Sequence, residues 1–333
     1  MITRGSYVYG PVPSRRLGRS LGVDLVPLKT CTYDCIYCQL GRTTNKTIKR
    51  AEHIPIEAML AEVEGKLKGT PAPDYVSLVG SGEPTLHARI GELIAGIKRL
   101  TSIPVAVLTN GSLLWVPEVQ DALMEADLVL PSLDAGDAAL FGHVNRPHPA
   151  ITFEAMVEGL RTFRERFTKP VWLEVFLLAG VTGIPAEVEK IAGLARLVRP
   201  ARVQLNTVSR PPCEDFAYPV PADRLAAYAA LFHPRARVIT EGHLARPRYG
   251  RAGEVSNGEL LALLRRRPCT AQGVADGLGM HVAEVTKRLH ALTGEGRVAC
   301  LRRDGLLFYR AERPTRGSRS SRSSARDGHA RKA

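Results

Sequence analysis

The sequence predicts an α/β protein: an open or partly closed barrel of strand–helix units, then a small helical unit with a hairpin, then a basic tail. Three observations carry this. Short apolar runs alternate with longer segments of helical period between Leu21 and Ile239, and repeated strand–helix units imply a parallel sheet with right-handed crossovers. A length of 333 residues gives two domains at about 150 residues each. After Ser256 the pattern changes to short apolar helices and two strand-like runs joined through Asp304-Gly305, a strong hairpin-turn signal.

The expected strands are Leu21–Val26, Tyr75–Val79, Val105–Thr109, Leu128–Ser132, Val171–Leu178 and Arg202–Leu205. Between them lie expected helices at Ile56–Lys68, Ile90–Thr101, Pro117–Ala126, Phe153–Phe167 and Pro185–Val198. The last places Val188, Ile191, Ala192, Ala195 and Val198 at three- and four-residue steps, an apolar stripe on one helix face. Six such units suit a partial (β/α)6 barrel, with functional groups on loops at the carboxyl ends of the strands. The expected division is an extension at 1–20, the barrel at 21–245, the helical unit at 256–312 and a disordered tail at 313–333.

In the helical unit, Leu260, Leu261, Leu263 and Leu264 mark a first helix and Ala271–Leu278 a second, broken by Gly279. Val282, Val285, Leu289 and Leu292 stand at core spacing in a third. The runs Arg297–Leu301 and Leu306–Arg310 form the hairpin, so the pattern is that of a winged helix. Ser/Arg/Gly repetition without apolar anchors makes the tail disordered.

The chain is 44% hydrophobic and 24% charged, enough to bury a core and unlike a disordered protein. No run of 18 apolar residues exists and the first residues lack an apolar stretch, so a cytoplasmic protein with no membrane contact is expected. The net charge of +13 is uneven. The last 21 residues hold seven basic residues and one acidic, while 1–255 are nearly balanced. Basicity alone therefore does not argue for nucleic acid.

Six cysteines are too few for a disulfide scaffold, but three fall within eight residues, as Cys31-x3-Cys35-x2-Cys38, directly after the first expected strand. A loop leaving a strand end can wrap three thiolates around one metal centre. A structural zinc site closes with four ligands, and no histidine is nearby. Three thiolates suit a 4Fe-4S cluster with one open iron; a zinc loop with a distant fourth ligand is the alternative.

This spacing resembles the signature of the radical S-adenosylmethionine (radical SAM) superfamily, a resemblance covering most of residues 10–240. It implies a radical SAM barrel, one 4Fe-4S cluster on Cys31, Cys35 and Cys38, and S-adenosylmethionine chelated at the open iron. It also implies an external electron donor, flavodoxin- or ferredoxin-like. One electron then cleaves the sulfonium, and the 5′-deoxyadenosyl radical abstracts a hydrogen from substrate. Tyr37 matches the family position whose aromatic side chain and backbone face the adenine. Gly80-Ser81-Gly82-Glu83-Pro84 resembles the family's Gly-Gly-Glu motif, with Ser81 in place of a glycine. By that likeness Gly80 and Gly82 let the backbone approach the methionine moiety, and Glu83 accepts from its amino group. Asn110, in Thr109-Asn110-Gly111, and Ser132 and Asp134, in Ser132-Leu133-Asp134, fall where the family places polar contacts to ribose and carboxylate. Turn-forming or helix-capping roles are the alternatives for all three. No residue outside the cysteine loop is singled out as catalytic.

Three stretches narrow the resemblance: Gly10-Pro11-Val12-Pro13-Ser14-Arg15-Arg16-Leu17-Gly18, Asn145-Arg146-Pro147, and Asn206-Thr207-Val208-Ser209-Arg210-Pro211-Pro212. They look like the branch that contains the catalytic domain of wyosine-base synthases, which modify a guanine of transfer RNA. Those enzymes hold a second cluster on cysteines upstream of the triad, and no cysteine precedes Cys31 here. Cys213, Cys269 and Cys300 are expected as ordinary buried or half-buried thiols.

Arg15, Arg16, Arg146 and Arg210 are suited to orient an anionic substrate at the barrel mouth, with internal ion pairs or solvated loops as the alternative. Glu174 lies in an apolar run and points either into the barrel or outward between helices. In the winged-helix unit the third helix exposes Glu284, Thr286, Lys287, Arg288 and His290, and Arg302 and Arg303 flank the hairpin tip as wing contacts. His281 and His290 read as surface or capping residues. Two readings stand for this unit and the tail: protein contacts or a lid, weighed first, and RNA or DNA as the alternative partner. The function expected is radical SAM catalysis on an unidentified substrate, RNA foremost. An iron–sulfur redox or iron sensor with a DNA-binding winged helix is the competing reading.

Overall fold

The computed structural model describes residues 6–69, 71–239 and 255–312. The tail expected at 313–333 and the stretch 240–245 lie outside the described residues. β1 (Val8–Ser14) and β2 (Gly18–Asp24) pair as an antiparallel hairpin at one edge of a five-stranded sheet. The expected extension at 1–20 contains β1, and Pro11 and Pro13 stand in that strand. Proline removes a ladder donor and is tolerated on edge strands and at bulges. β1 offers both, being an edge strand whose register shifts between Tyr9 and Val12.

The two-residue strands β3 (Thr30–Cys31) and β4 (Asn45–Lys46) frame the cysteine loop. Then come α1 (Ile56–Gly69), β5 (Tyr75–Val79), α2 (Ile90–Leu100), β6 (Val105–Leu108), α3 (Pro117–Leu123) and β7 (Leu128–Leu130). The sheet order is β1-β2-β5-β6-β7, parallel from β2 onward. α4 (Ala138–Val144) and α5 (Phe153–Arg166) follow. α4 has only seven residues, too few for a period to show in the sequence, and is started by Asp137, which accepts from the Leu140 N–H at 2.9 Å.

A second parallel sheet comprises β8 (Trp172–Leu177), β9 (Arg202–Thr207) and β10 (Arg237–Val238), with α6 (Pro185–Val198) and α7 (Ala222–Tyr228) between them. Glu174 N donates to Pro131 O at 2.9 Å and Leu133 N donates to Glu174 O at 2.9 Å, so the chain after β7 runs beside β8. β2 and β5 to β9 thus form one curved wall of parallel strands. It does not close, because β1 and β10 end it as edges. β8 alternates: Leu173, Val175 and Leu177 are buried, while Trp172, Glu174 and Phe176 lie half-buried on the opposite face. Its side chains point alternately out to the helices and into the barrel.

α8 (Asn257–Arg266) starts at a reciprocal capping box between Ser256 and Glu259. α9 (Ala271–Leu278) stops at Gly279, whose φ of +65° suits glycine. α10 (Val282–Gly294) and the hairpin β11 (Val298–Arg303) and β12 (Leu306–Ala311) complete a unit with its own core, including Leu264, Val285 and Leu289. Among the described residues no helix is long and apolar enough to cross a membrane.

Candidate functional site

The cysteine loop hangs from the ends of several strands. Thr47 N donates to Cys31 O at 3.0 Å, Cys38 N to Cys35 O at 3.1 Å, and Ile36 N to Val144 O at 3.0 Å. Each sulfur meets one side-chain N–H. Lys29 Nζ stands 3.1 Å from Cys38 Sγ, Asn145 Nδ2 3.6 Å from Cys35 Sγ, and Asn110 Nδ2 3.7 Å from Cys31 Sγ. Burial, and then the charge of Glu83, push the Cys31 thiol up to about 12. Burial pushes Cys35 well above the usual thiol range, with Cys31 and Cys38 adding to it. Such thiols ionise only when a cation takes the proton's place. Burial works against the Lys29 ammonium, but the charge of Cys38 and its hydrogen bond outweigh it and raise the lysine above its ordinary value.

Three soft thiols without histidine form a donor set suited to iron–sulfur chemistry. Among the described residues no three His, Cys, Asp or Glu side chains gather closely enough to hold one metal ion. A cluster needs no such gathering, since each thiolate binds a different iron. The residues present therefore fit a cluster better than a single zinc.

The Gly80-Ser81-Gly82-Glu83 segment crosses behind this loop. A Cβ on Gly82 would lie 1.7 Å from Thr30 O, so glycine is required by the loop's approach to β3, not only by a ligand. Glu83 is 1% exposed and accepts four hydrogen bonds. They come from Thr85 N at 3.0 Å, Thr85 Oγ1 at 2.7 Å, Thr109 Oγ1 at 2.6 Å and Asn110 N at 2.7 Å. Burial raises its pKa and these bonds oppose the rise. Glu83 thus ties the end of β5 to the end of β6.

Asn110 uses its Oδ1 to accept from Ser112 N at 2.9 Å, the ordinary turn role, and its Nδ2 to donate to Thr32 Oγ1 at 2.8 Å. Asp134 accepts from Tyr37 OH, from Asn145 Nδ2 at 2.9 Å and from Phe176 N at 3.1 Å. The Tyr37 ring stacks on Phe176 with centroids 4.0 Å apart and planes 13° apart. Burial lifts Asp134 to about 6 against these three donors, and carries Tyr37 well above its usual range. Tyr37 and Asp134, read from the sequence as separate cofactor contacts, are each other's partners.

A cavity of about 420 Å³ opens in front of this wall. Cys31, Cys38, Tyr37, Gly80, Gly82 and Ser132 line it, whereas Cys35, Glu83, Asn110 and Asp134 stand behind the lining. Its far side is built from distant segments. Glu174, which points into the barrel, pairs with Arg16 and accepts from Asn206 Nδ2 at 3.0 Å. Arg15 Nη1 donates to Ser209 Oγ at 3.1 Å and Arg210 Nη1 to Gln39 Oε1 at 3.3 Å. Arg146, grouped with them in the sequence reading, does not line the cavity and pairs with Glu214 at 2.5 Å.

Sequence reasoning missed the contribution of α8. Leu263, Arg266 and Arg267 reach the cavity from the C-terminal unit. Arg266 Nε donates to Asp24 Oδ2 at 2.6 Å, its Nη2 to Ser6 O at 2.9 Å, and its guanidinium lies 4.2 Å over the Tyr9 ring. Burial raises Asp24 and Arg266 opposes the rise. In the run Arg265-Arg266-Arg267 nothing in the sequence marks which residues turn to the cavity. Lys29 was also missed, although a lysine two residues before the first cysteine is a visible signal.

Of the remaining expected residues, Cys269 is buried and Cys213 half-buried, but Cys300 is exposed, because the β11–β12 hairpin turns it outward. His281 caps α10, its side chain accepting from Ala283 N at 3.3 Å, and His290 is exposed. Thr286 and Lys287 are exposed, whereas Glu284 is paired with Arg288 at 2.8 Å. Arg302 is exposed; Arg303 turns inward instead, donating to Ala217 O at 2.9 Å beside Tyr218. Docking of the unit on the barrel takes that side chain from the hairpin tip.

The sequence profile of the Radical SAM superfamily matches residues 25–195. The chain is 35% identical over 303 residues to a protein named GTPase Obg from Brachyspira hyodysenteriae, covering 91% of this chain and 45% of that one. It thus spans less than half of that relative. The Gly-x4-Gly-Lys-Ser/Thr pattern that cradles nucleotide phosphates is absent from the present sequence, so that name is not carried over. Identity is 36% over 228 residues to a UPF0026 protein of Methanocaldococcus jannaschii, covering 68% of this chain and 70% of that one. Among solved structures, a radical SAM methyltransferase from Sphaerobacter thermophilus is similar over 66% of each chain, with a TM-score of 0.48 and 19% identity.

Proposed function

The chain belongs to the radical SAM superfamily, and from that membership we propose that it cleaves S-adenosylmethionine reductively on a 4Fe-4S cluster held by Cys31, Cys35 and Cys38. What carries the reading is one cavity whose wall brings Cys31 and Cys38 beside Gly80, Gly82 and Ser132. When bound, the reduced cluster supplies one electron to the sulfonium, and the 5′-deoxyadenosyl group takes a hydrogen atom from substrate.

The chain's own residues position and shield. Gly82 brings the Gly80–Glu83 segment against β3, so that Gly80 and Gly82 share with Cys31 and Cys38 the cavity lining that would hold the cofactor. Glu83, Asn110 and Asp134 act from behind, holding strand ends, Tyr37 and the cysteine loop in register. Arg16, Glu174 and Asn206 form a polar floor for the substrate on the opposite side. An external one-electron donor, flavodoxin- or ferredoxin-like, completes the reaction.

The test is anaerobic. Protein reconstituted with iron and sulfide is given dithionite and S-adenosylmethionine, and 5′-deoxyadenosine is followed in wild type and Cys35→Ala. Formation in the wild type alone is expected. A full, reducible cluster with no cleavage overturns the reading.

For the substrate we favour RNA, on the three wyosine-like stretches and the basic C-terminal end. The full-length chain should then bind RNA at low salt, with affinity falling steeply as salt rises. No binding at low salt removes RNA from consideration.

A further inference from the structure

Lys29 is buried, 2% exposed, and held with φ at +62°, a backbone region costly for lysine. It persists there because it is clamped from both sides. Its N–H donates to Ser81 O at 2.6 Å, and its carbonyl accepts from Thr44 N at 3.2 Å and Asn45 N at 3.1 Å. That clamp aims the ammonium at Cys38 Sγ, 3.1 Å away. Among the described residues Nζ has no carboxylate partner. A buried ammonium is expensive unless an anion faces it, and a neutral thiol does not supply one. The place in front of Lys29 is therefore built to carry negative charge. Asn110 and Asn145 give the other two sulfurs dipoles, whereas Lys29 gives the third a full charge.

We propose that Lys29 is a positioning residue for that charge, stabilising the reduced cluster over the oxidised one and so raising its reduction potential. The inference rests on the cluster reading above and goes beyond it. Reduction brings one electron from the external donor to the cluster and moves no proton, since Lys29 stays protonated on both sides. The added negative charge is stabilised by a cation at hydrogen-bond distance, more strongly in a buried site than in water. Lys29 also links that charge to the cofactor segment, because the same residue holds Ser81 through its backbone.

The test is a redox titration of the reconstituted full-length protein, following the signal of the reduced cluster by electron paramagnetic resonance. Lys29→Met should lower the equilibrium constant for reduction at least tenfold, a shift of 59 mV or more to negative potential for one electron. Lys29→Arg should keep most of the wild-type value. An exchangeable proton coupled to the cluster should be lost in Lys29→Met and kept in Lys29→Arg. If Lys29→Met holds no cluster, Lys29→Gln retains an N–H without the charge and is judged by the same tenfold criterion. A smaller shift, or one to positive potential, overturns the inference. A wild-type chain that binds no cluster overturns the reading of the site itself, and this inference with it.

Discussion

The two walls of the cavity are built by different means. On the cysteine wall, strand ends that follow one another in the sheet share buried acceptors: Glu83 takes four donors and Asp134 three. On the opposite wall, single ion pairs join segments far apart in the chain. Arg16 and Glu174 are 158 residues apart, and Asp24 and Arg266 are 242 apart. The first wall is a consequence of strand order, so any chain that folds the sheet makes it. The second exists only when the N-terminal hairpin, β8, β9 and the C-terminal unit have all assembled. Stability should therefore be concentrated on the first wall, and tolerance to change on the second.

The sharpest test is Glu83→Ala, which strands the Thr85, Thr109 and Asn110 donors at a buried position. It should cost about 4 kcal/mol in urea unfolding; a loss as small as that of a surface change would break the comparison. Next comes pH. The folded pKa of Asp134 is raised to about 6 by burial, so its contribution is fully present below the ordinary carboxylate pKa and is lost as pH rises through about 6. Between pH 4 and pH 7 the wild type should lose about 2 kcal/mol relative to Asp134→Asn. Parallel stability–pH curves for the two proteins would remove Asp134 from the account.

Gly82→Ala should cost about 2 kcal/mol, because the new methyl meets Thr30 O and the segment must move. Calorimetry reads the loss, and S-adenosylmethionine binding should weaken with it. The second wall should lose no more than this. Arg266→Met keeps apolar cover over Tyr9 but strands the mostly buried Asp24, which limits the loss to about 2 kcal/mol by taking up a proton. Limited proteolysis should then release the C-terminal unit sooner than in the wild type. A larger loss for Arg266→Met than for Glu83→Ala would reverse the comparison.

What the sequence disclosed follows the same division. Tyr75–Val79 and Val105–Leu108 were legible because strands buried on both faces leave nearly continuous apolar runs, broken in the first only by Ser77. Cys31, Cys35 and Cys38 were legible because ligands on one loop must keep a fixed spacing. Asp134 was visible as a residue but not as the partner of Tyr37, since 97 residues separate them and only the fold brings them together. β1 was obscured by Pro11 and Pro13, and Arg303 was placed with the wing contacts at the hairpin tip because its docking on Ala217 depends on how two cores meet. Glu174 shows the limit in a single side chain: an acid in an apolar strand has two faces to choose from, and periodicity does not say which is the interior.

The carboxylate of Asp24 holds Arg266 on one oxygen and Ser81 on the other, and Ser81 in turn holds Lys29, whose ammonium faces Cys38. For anyone recombining parts, this forbids treating the C-terminal unit as an interchangeable cassette. A transplanted barrel inherits a half-buried acid that needs a guanidinium from outside, and a donor sequence that lacks one at that place leaves the blemish two contacts from the cysteine loop. Lineages that exchange this appendage should accordingly change position 24 in step with it.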